Sequence, residues 1–435
     1  MSAIISWLNT NIVTQTALFM GIIVAIGLIM QKKNVGEILE GFISTALGFF
    51  IFNTGVGAIG SSSILLGDLL KPTFGVLAGV KPSSNALFTA MANGIEYLAP
   101  RVIPCFIITW FIHVLLVKYV KCFKVVYLTV HNMLSFTSCF YVFFYTVMGY
   151  EGLLLDVLSG GFMLLYITVT PMLIYKDCMD VTGGAFALGH FNQIGAFVAS
   201  KISPFLGDPE KENAEEMKLP DWLKGIADNG LSIGLAMPIA YIFVWILVVA
   251  VGNPDALEVL STKAGAVSGF VYMFLQALQF AGATYILLYG LRMFLGSLLP
   301  AFQGITEKFL PDAVPGIDTV AFYSLAPNAV VIGMICYMIG TVITTVLFIV
   351  FKSPILVIFQ LAGGFSEMSA ISVIANRKGG WKACVVCGLL EGFLATFFAA
   401  FFCAGMGILE EGISQINFDS NAYPALIYYL FRLFK

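Results

Sequence analysis

Charge is what this sequence is short of. Only 11% of its 435 residues are Asp, Glu, Lys or Arg, against about 25% in soluble domains. That is too few to cover a water-facing surface at this length. Net charge is −3, and the basic residues stand singly or in small groups, which excludes a nucleic-acid-binding surface. Histidine is scarcer still, with three residues, so there is little room for a metal site. No Walker loop, HExxH or zinc-like Cys/His cluster occurs, and no cofactor is expected. Lys32 is the first basic residue, so the positively charged start of a cleaved signal peptide is missing. The first apolar run, about 17–30, reads as a retained span.

What is present is apolar. Hydrophobic residues make up 59% of the chain and mean hydropathy is +0.93, which places it in a bilayer, in contact with lipid. A spanning helix needs about 20 apolar residues. The runs 13–31, 38–58, 100–120, 133–149, 152–175, 229–251, 266–290, 328–351, 353–374 and 383–406 meet that need. The expected fold is an all-α membrane protein of about ten transmembrane helices, with re-entrant or broken segments near 84–95, 184–200 and 294–325. The lysine-bearing loops (Lys32 and Lys33; Lys118, Lys121 and Lys124; Lys176; Lys201 to Lys224) all fall on one side. The positive-inside rule makes that side cytoplasmic.

The stretch "SPFLGDPEKENAEEMKLPDWLKGIADNG", 203–230, is the one sizeable polar segment, either a solvated linker or a docking loop hinged near Pro220. It divides the chain into a first transmembrane half (1–200), a cytoplasmic loop (201–228) and a second half (229–435). Each half carries a Gly/Pro-broken polar stretch, a layout that suggests a repeat. Eight cysteines lie mostly in apolar runs, and Cys384-x-x-Cys387 reads as a packed helix face. The tail 423–435 is too short to span, and reads as interfacial, with Tyr423, Tyr428 and Tyr429 at headgroup level.

Ionisable groups inside spans are costly and by default mark function. In "GGAFALGHFNQIG", 183–195, glycines let the backbone leave the helix, and His190, Asn192 and Gln193 supply donors and acceptors there. This reads as a site for a polar, uncharged ligand, or as a broken helix satisfied internally. Asp318, in "VPGIDTVAFYSLAPNAVV", comes after a Pro-Gly break, and Pro327 stands where a helix restarts. Its carboxylate either accepts hydrogen bonds from two sugar hydroxyls or caps backbone N–H groups. His131 reads as a boundary residue, His113 as core, and Glu391 as hydrogen-bonding across a helix contact. Glu367 is left as site, gate or surface.

The runs "YKDCMDVTGGAFALGHFNQIGAFVASKISPFLG" (175–207), "KLPDWL" (218–223), "GLRMFLGSLLPAFQGITEKFLPDAVPGIDTVAFYSLAPNAVV" (290–331) and "ANRKGGWKA" (375–383) closely resemble the membrane component, enzyme IIC, of the L-ascorbate branch of the bacterial phosphotransferase system. The resemblance covers roughly residues 10–410. It implies a multi-pass homodimer in the bacterial inner membrane, two inverted repeats, and a dimerising V-motif domain beside a core domain that moves as an elevator. It also implies phosphorylation of the sugar by a separate enzyme IIB, itself supplied by enzyme IIA.

Position by position, His131, His190 and Asp318 match residues lining the family's ascorbate site. Ala86 and Leu87 stand where that pattern has Thr-Tyr, and Ser135 and Phe191 where it has Gln. A sugar hydroxyl left unpaired costs about 1–3 kcal/mol, so either Asn85, Asn132, Asn192 and Gln193 compensate or the sugar differs. The substrate is expected to be L-ascorbate or a related carbohydrate. Asp318 is the candidate acceptor of the proton from the attacking hydroxyl. The competing readings are an ion-coupled secondary transporter, using Asp318, Glu367 or Glu391, and a passive pore.

Overall fold

A computed structural model describes Trp7, Asn11 and residues 15–74, 78–82, 97–217, 229–310, 312–357, 363–406, 413–414 and 417–434. The first half runs through helices α1 (Thr16–Met30) and α2 (Val35–Phe74), strand β1 (Ala78–Pro82), α3 (Ala99–Tyr119), β2 (Val125–Tyr127), α4 (Val130–Val142), α5 (Gly152–Leu173), α6 (Tyr175–Thr182), β3 (Ala187–Leu188) and α7 (Gln193–Ile202). The second half comprises α8 (Asn229–Val251), α9 (Pro254–Ala264), α10 (Gly269–Phe309), β4 (Val314–Ile317), a 3₁₀ turn (Thr319–Leu325), α11 (Pro327–Val350), β5 (Ile355–Val357), α12 (Gly363–Met406), β6 (Ile413–Ser414) and α13 (Phe418–Arg432).

Among the described residues, Gly152–Leu173, Pro327–Val350 and Ser366–Met406 are long and apolar enough to cross a bilayer. Pro254–Ala264 with Gly269–Ala283, bent by 67°, adds a fourth if taken as one broken span. Met20–Met30, Pro104–Tyr119, Ser135–Val147 and Met237–Val251 are shorter apolar helices. The chain is a helical, multi-pass membrane protein.

Hydropathy misjudged several boundaries. Helices α2 and α10 run on to 40 and 41 residues, about 60 Å at 1.5 Å per residue, twice a bilayer core. The apolar run 353–374 is not one helix: it opens as β5, and α12 starts at Gly363. Strand and helix share the same apolar composition when both are buried, and periodicity does not separate them. α12 then continues through a bend at Gly380, where φ is +69°. A Cβ there would stand 2.3 Å from the Glu212 carbonyl oxygen, so both the backbone sign and the close approach demand glycine.

The segment 203–217 packs on that bend. Trp381 N–H donates to the Glu212 carbonyl at 2.8 Å, Ala214 N–H donates to Asn376 Oδ1 at 2.8 Å, and the Glu215 carboxylate accepts from Ala329 N–H at 3.0 Å at the start of α11. Residues 218–228, with Pro220, lie outside the described residues.

Two three-stranded parallel sheets tie the halves together. In one, β4 of the second half lies between β2 and β3 of the first. In the other, β1 of the first half lies between β5 and β6 of the second.

The tail differs from expectation. Tyr428 is fully buried and stacks on Phe143 with ring centroids 4.1 Å apart. Tyr423 is set among Phe136, Phe140 and Tyr166 and donates to the Phe162 carbonyl. Leu426 and the far end, with Tyr429 and Arg432, reach the surface. Aromatic partners on α4 and α5 give these rings a better place than headgroups do.

Candidate functional site

Parallel strands put their carboxyl ends on one edge, and the residues leaving each strand gather there. Val125, Val126 and Tyr127 of β2 pair with Val314, Pro315 and Gly316 of β4; Ala187 and Leu188 of β3 pair with Gly316 and Ile317. The ladder continues past the strands: Leu128 N–H donates to the Gly316 carbonyl at 3.0 Å and Gly189 N–H to the Ile317 carbonyl at 2.8 Å. The Thr129 hydroxyl donates to the Gly189 carbonyl. The backbones of His131 (second residue of α4), His190 and Asp318 therefore follow the strands at one edge, from segments far apart in the chain, and the His131 side chain lies outside the described ones. Crevices outside the carboxyl ends of parallel strands are a recurrent place for ligands.

The edge is held rigidly. Tyr127 is clamped on both sides: its N–H donates to His113 Nε2 at 3.0 Å, and its carbonyl accepts from Trp110 Nε1 at 3.0 Å. Since Nε2 accepts, the His113 proton sits on Nδ1 and donates to Thr168 Oγ1 at 2.9 Å. This histidine is core structure, as its apolar flanks imply. At Gly189 a Cβ would stand 2.4 Å from the Gly316 carbonyl oxygen, so only glycine lets β3 close on β4.

Individual side chains divide into those already engaged and those that are not. Gln193 bonds the Leu188 carbonyl at 2.8 Å and meets the Thr170 hydroxyl, holding the turn from β3 into α7. Asn192 Nδ2 reaches Thr319 Oγ1 at 3.0 Å and the Glu367 carbonyl at 2.9 Å, linking this turn to the 3₁₀ turn and to α12. Its Oδ1 is buried and has no partner among the described residues. Asn132 Nδ2, on the first turn of α4, likewise has no partner in hydrogen-bond geometry among the described residues, with the unpaired Tyr127 hydroxyl as its neighbour. His190 Nε2 lies 3.4 Å from Ser366 Oγ, and the ring is almost wholly buried, as is Asp318. Ser135 is buried one turn along α4 from His131. Phe191 points into the aromatic core, edge-on to Phe136 with centroids 4.1 Å apart. Ala86 and Leu87, with Asn85, lie outside the described residues. Among the described residues no group of three His, Cys, Asp or Glu converges on a metal-sized site.

A second polar cluster went unread in the sequence. Asp419, fully buried at the start of α13, accepts from Ile194 N–H at 2.7 Å and Gly195 N–H at 3.2 Å, and from the Tyr166 hydroxyl. It caps α7 from the other half of the chain, where the helix dipole favours a carboxylate. Glu367 accepts from Asn417 Nδ2 at 2.7 Å and Phe418 N–H at 2.5 Å and so caps α13. The signal was there in "NFDSNAYP", 417–424, where polar residues precede an apolar run: Asn417 and Ser420 form a capping box. Glu391 does lie at a helix contact, against Gly195, but its Oε1 has no hydrogen-bond partner among the described residues. Asp180 is surface-exposed, bonded to Arg377 Nε at 2.8 Å. Cys384 and Cys387 are buried thiols, as a packed helix face requires.

Residues 11–420 match the family described as "PTS system sugar-specific permease component". The chain belongs to that family of phosphotransferase-system membrane permeases. It is also similar to the "Ascorbate-specific PTS system EIIC component" of Mycoplasma pneumoniae, with 24% identity over an alignment that takes in 90% of this chain. The chain spans 65% of the length of that curated relative.

Proposed function

We propose that this permease translocates L-ascorbate or a related carbohydrate, bound at the shared carboxyl edge of β2, β3 and β4. His131, His190 and Asp318 are its ligands, Asn132 and Asn192 their helpers, and Ser135 a shortened side chain of its wall, while Phe191 turns into the aromatic core. The observation that carries this is the pair of buried atoms without partners among the described residues, Asn132 Nδ2 next in chain to His131 and Asn192 Oδ1 two residues past His190. Buried polar atoms are nearly always bonded, and one donor with one acceptor at a strand edge suits a sugar hydroxyl, which is both. The Mycoplasma relative's printed specificity favours ascorbate. Compensation by Asn132 and Asn192 accounts for the loss of the polar groups that Ser135 and Phe191 replace.

On this reading a separate enzyme IIB, charged by enzyme IIA, phosphorylates the sugar at the cytoplasmic face of the bacterial inner membrane. Asp318 accepts the hydroxyl proton. The reciprocal pairing of β1 with β5 and β6, and of β4 with β2 and β3, supports two inverted repeats, 1–200 and 229–435, joined by 201–228. It also supports a core domain that shifts as a body, since each sheet draws on both halves. The V-motif domain and the homodimer belong to the same reading.

The test is product chemistry. Cells supplied with labelled ascorbate should accumulate the phosphorylated sugar only when enzyme IIB is present. Unmodified sugar whose accumulation collapses with an ionophore would instead support an ion-coupled secondary transporter, the alternative favoured by the bare Glu391 oxygen.

A further inference from the structure

Beside the start of β2, at the end of that strand away from the candidate sugar ligands, lies a cavity of about 490 Å³. It is lined by Lys124, Lys176, Lys201, Lys378, Asp177 and Cys122, with Met172, Leu173 and Tyr175 as its apolar floor. Lys124 stands immediately before β2, and its carbonyl accepts from Val314 N–H at 2.7 Å. Lys124 and Tyr127, at opposite ends of β2, are about 10 Å apart at roughly 3.3 Å per residue.

Four lysines here face one carboxylate, and that carboxylate is used. Asp177 Oδ1 pairs with Lys378 Nζ at 2.6 Å, and its Oδ2 accepts from Ser200 Oγ at 2.6 Å. Lys124 and Lys201 each lie over a ring face, Tyr175 at 5.4 Å and Phe197 at 5.2 Å. Lys124, Lys176 and Lys201 have no carboxylate partner among the described residues. Ammonium groups drawn together from α6, α7, α12 and the α3–β2 loop repel one another, and a concave wall focuses their field. Lysines that serve only to fix orientation have no reason to converge on one concavity.

We propose that this cavity is a phosphate-binding site. It is wide enough for a phosphate and part of what carries it, and its ammonium groups present the donors that a phosphate oxygen accepts. The phosphate belongs either to a free phosphate compound, such as a phosphorylated sugar, or to the headgroup of an anionic lipid. The site does not depend on the transport reading, and its test reads binding alone, so its failure leaves that reading standing.

Cys122 provides the reporter. It is an exposed thiol on the cavity wall, and the Cys122→Ser chain gives the background from all other thiols. The intact protein in neutral phosphatidylcholine nanodiscs is labelled with an anionic and with a cationic thiosulfonate, with and without millimolar inorganic phosphate. The labelling is repeated in discs containing phosphatidylglycerol. The anionic reagent should react roughly fivefold or more faster than the cationic one. Phosphate or phosphatidylglycerol should slow it several-fold, and Lys124→Gln/Lys176→Gln/Lys201→Gln should remove both the preference and the protection. The single variant Lys176→Gln should show a partial loss, guarding against a misfolded triple variant. Slowing by inorganic phosphate in neutral discs assigns the site to free phosphate compounds, and slowing by phosphatidylglycerol alone assigns it to lipid. A charge preference with no protection by either, equal rates for both reagents, or protection that survives the lysine substitutions would overturn the proposal.

Discussion

Two buried polar regions lie side by side in this protein, and they are finished to different degrees. Around the starts of α7 and α13, Asp419 and Glu367 have their oxygens engaged by backbone N–H groups, Asn417 and Tyr166. At the carboxyl edge of β2, β3 and β4, Asn192 spends its amide nitrogen on the scaffold yet keeps a bare oxygen. Asn132 keeps a bare nitrogen. The two carboxylates at the helix starts are engaged, whereas the two amides at the strand edge each keep an unpaired atom among the described residues. The contrast matters because both regions attract the same first suspicion, intramembrane polarity as function.

Substitutions on the two sides should separate stability from transport. The largest effect is expected at Asp419. Asp419→Ala strands two N–H groups and a hydroxyl, each worth about 1–3 kcal/mol when left unpaired, so most of the protein should be lost from a size-exclusion profile in detergent. Equal thermal stability to the unaltered protein would break the comparison. Gly189→Ala comes next: its methyl meets backbone rather than a movable side chain. Loss of both uptake and a sharp melting transition is expected, because β3 cannot stay on β4.

At the strand edge, on the proposed function, Asp318→Asn and His190→Ala should each abolish uptake while membrane insertion and melting temperature barely change. Near-normal uptake by both would move the sugar elsewhere. Asn192→Asp sharpens the point further. It retains the shape but loses the donor to Thr319 and Glu367, so stability and uptake should fall together.

The smallest effect concerns the exposed pair of Arg377 and Asp180. The Arg377 guanidinium holds the Asp180 carboxyl below its usual range. A depressed carboxylate stabilises the fold above its unfolded pKa of about 3.9, and that contribution fades as pH falls through the lower folded value. Arg377→Gln should therefore cost under about 1 kcal/mol at neutral pH, and less in acid. Thermal melts at neutral and acid pH would measure it.

How much could be read beforehand depends on the range of the forces involved. His190 and Asp318 were legible because glycine and proline break their helices locally, and His113 because its flanks are wholly apolar. The helix start at Pro327 was legible for the same local reason. The run 353–374 was misread, since a buried strand and a buried helix share one composition. Tyr428 was placed in headgroups because nothing nearby in sequence announces Phe143 as its partner. Glu367 could not be ranked: its partners, Asn417 and Phe418, lie some 50 residues away.

Composition alone determined the solvent. With so few charges, transfer free energy forces this chain into lipid and its backbone into internally bonded helices. The sequence likewise carried the family's long motifs and the places where helices must stop. Only the tertiary structure decided that β4 lies between β2 and β3, and hence that residues 131, 190 and 318 follow strands at one edge while Lys124 precedes β2 at the other. Strand pairing is set by contacts across long stretches of chain, and no local propensity encodes which strand becomes whose neighbour.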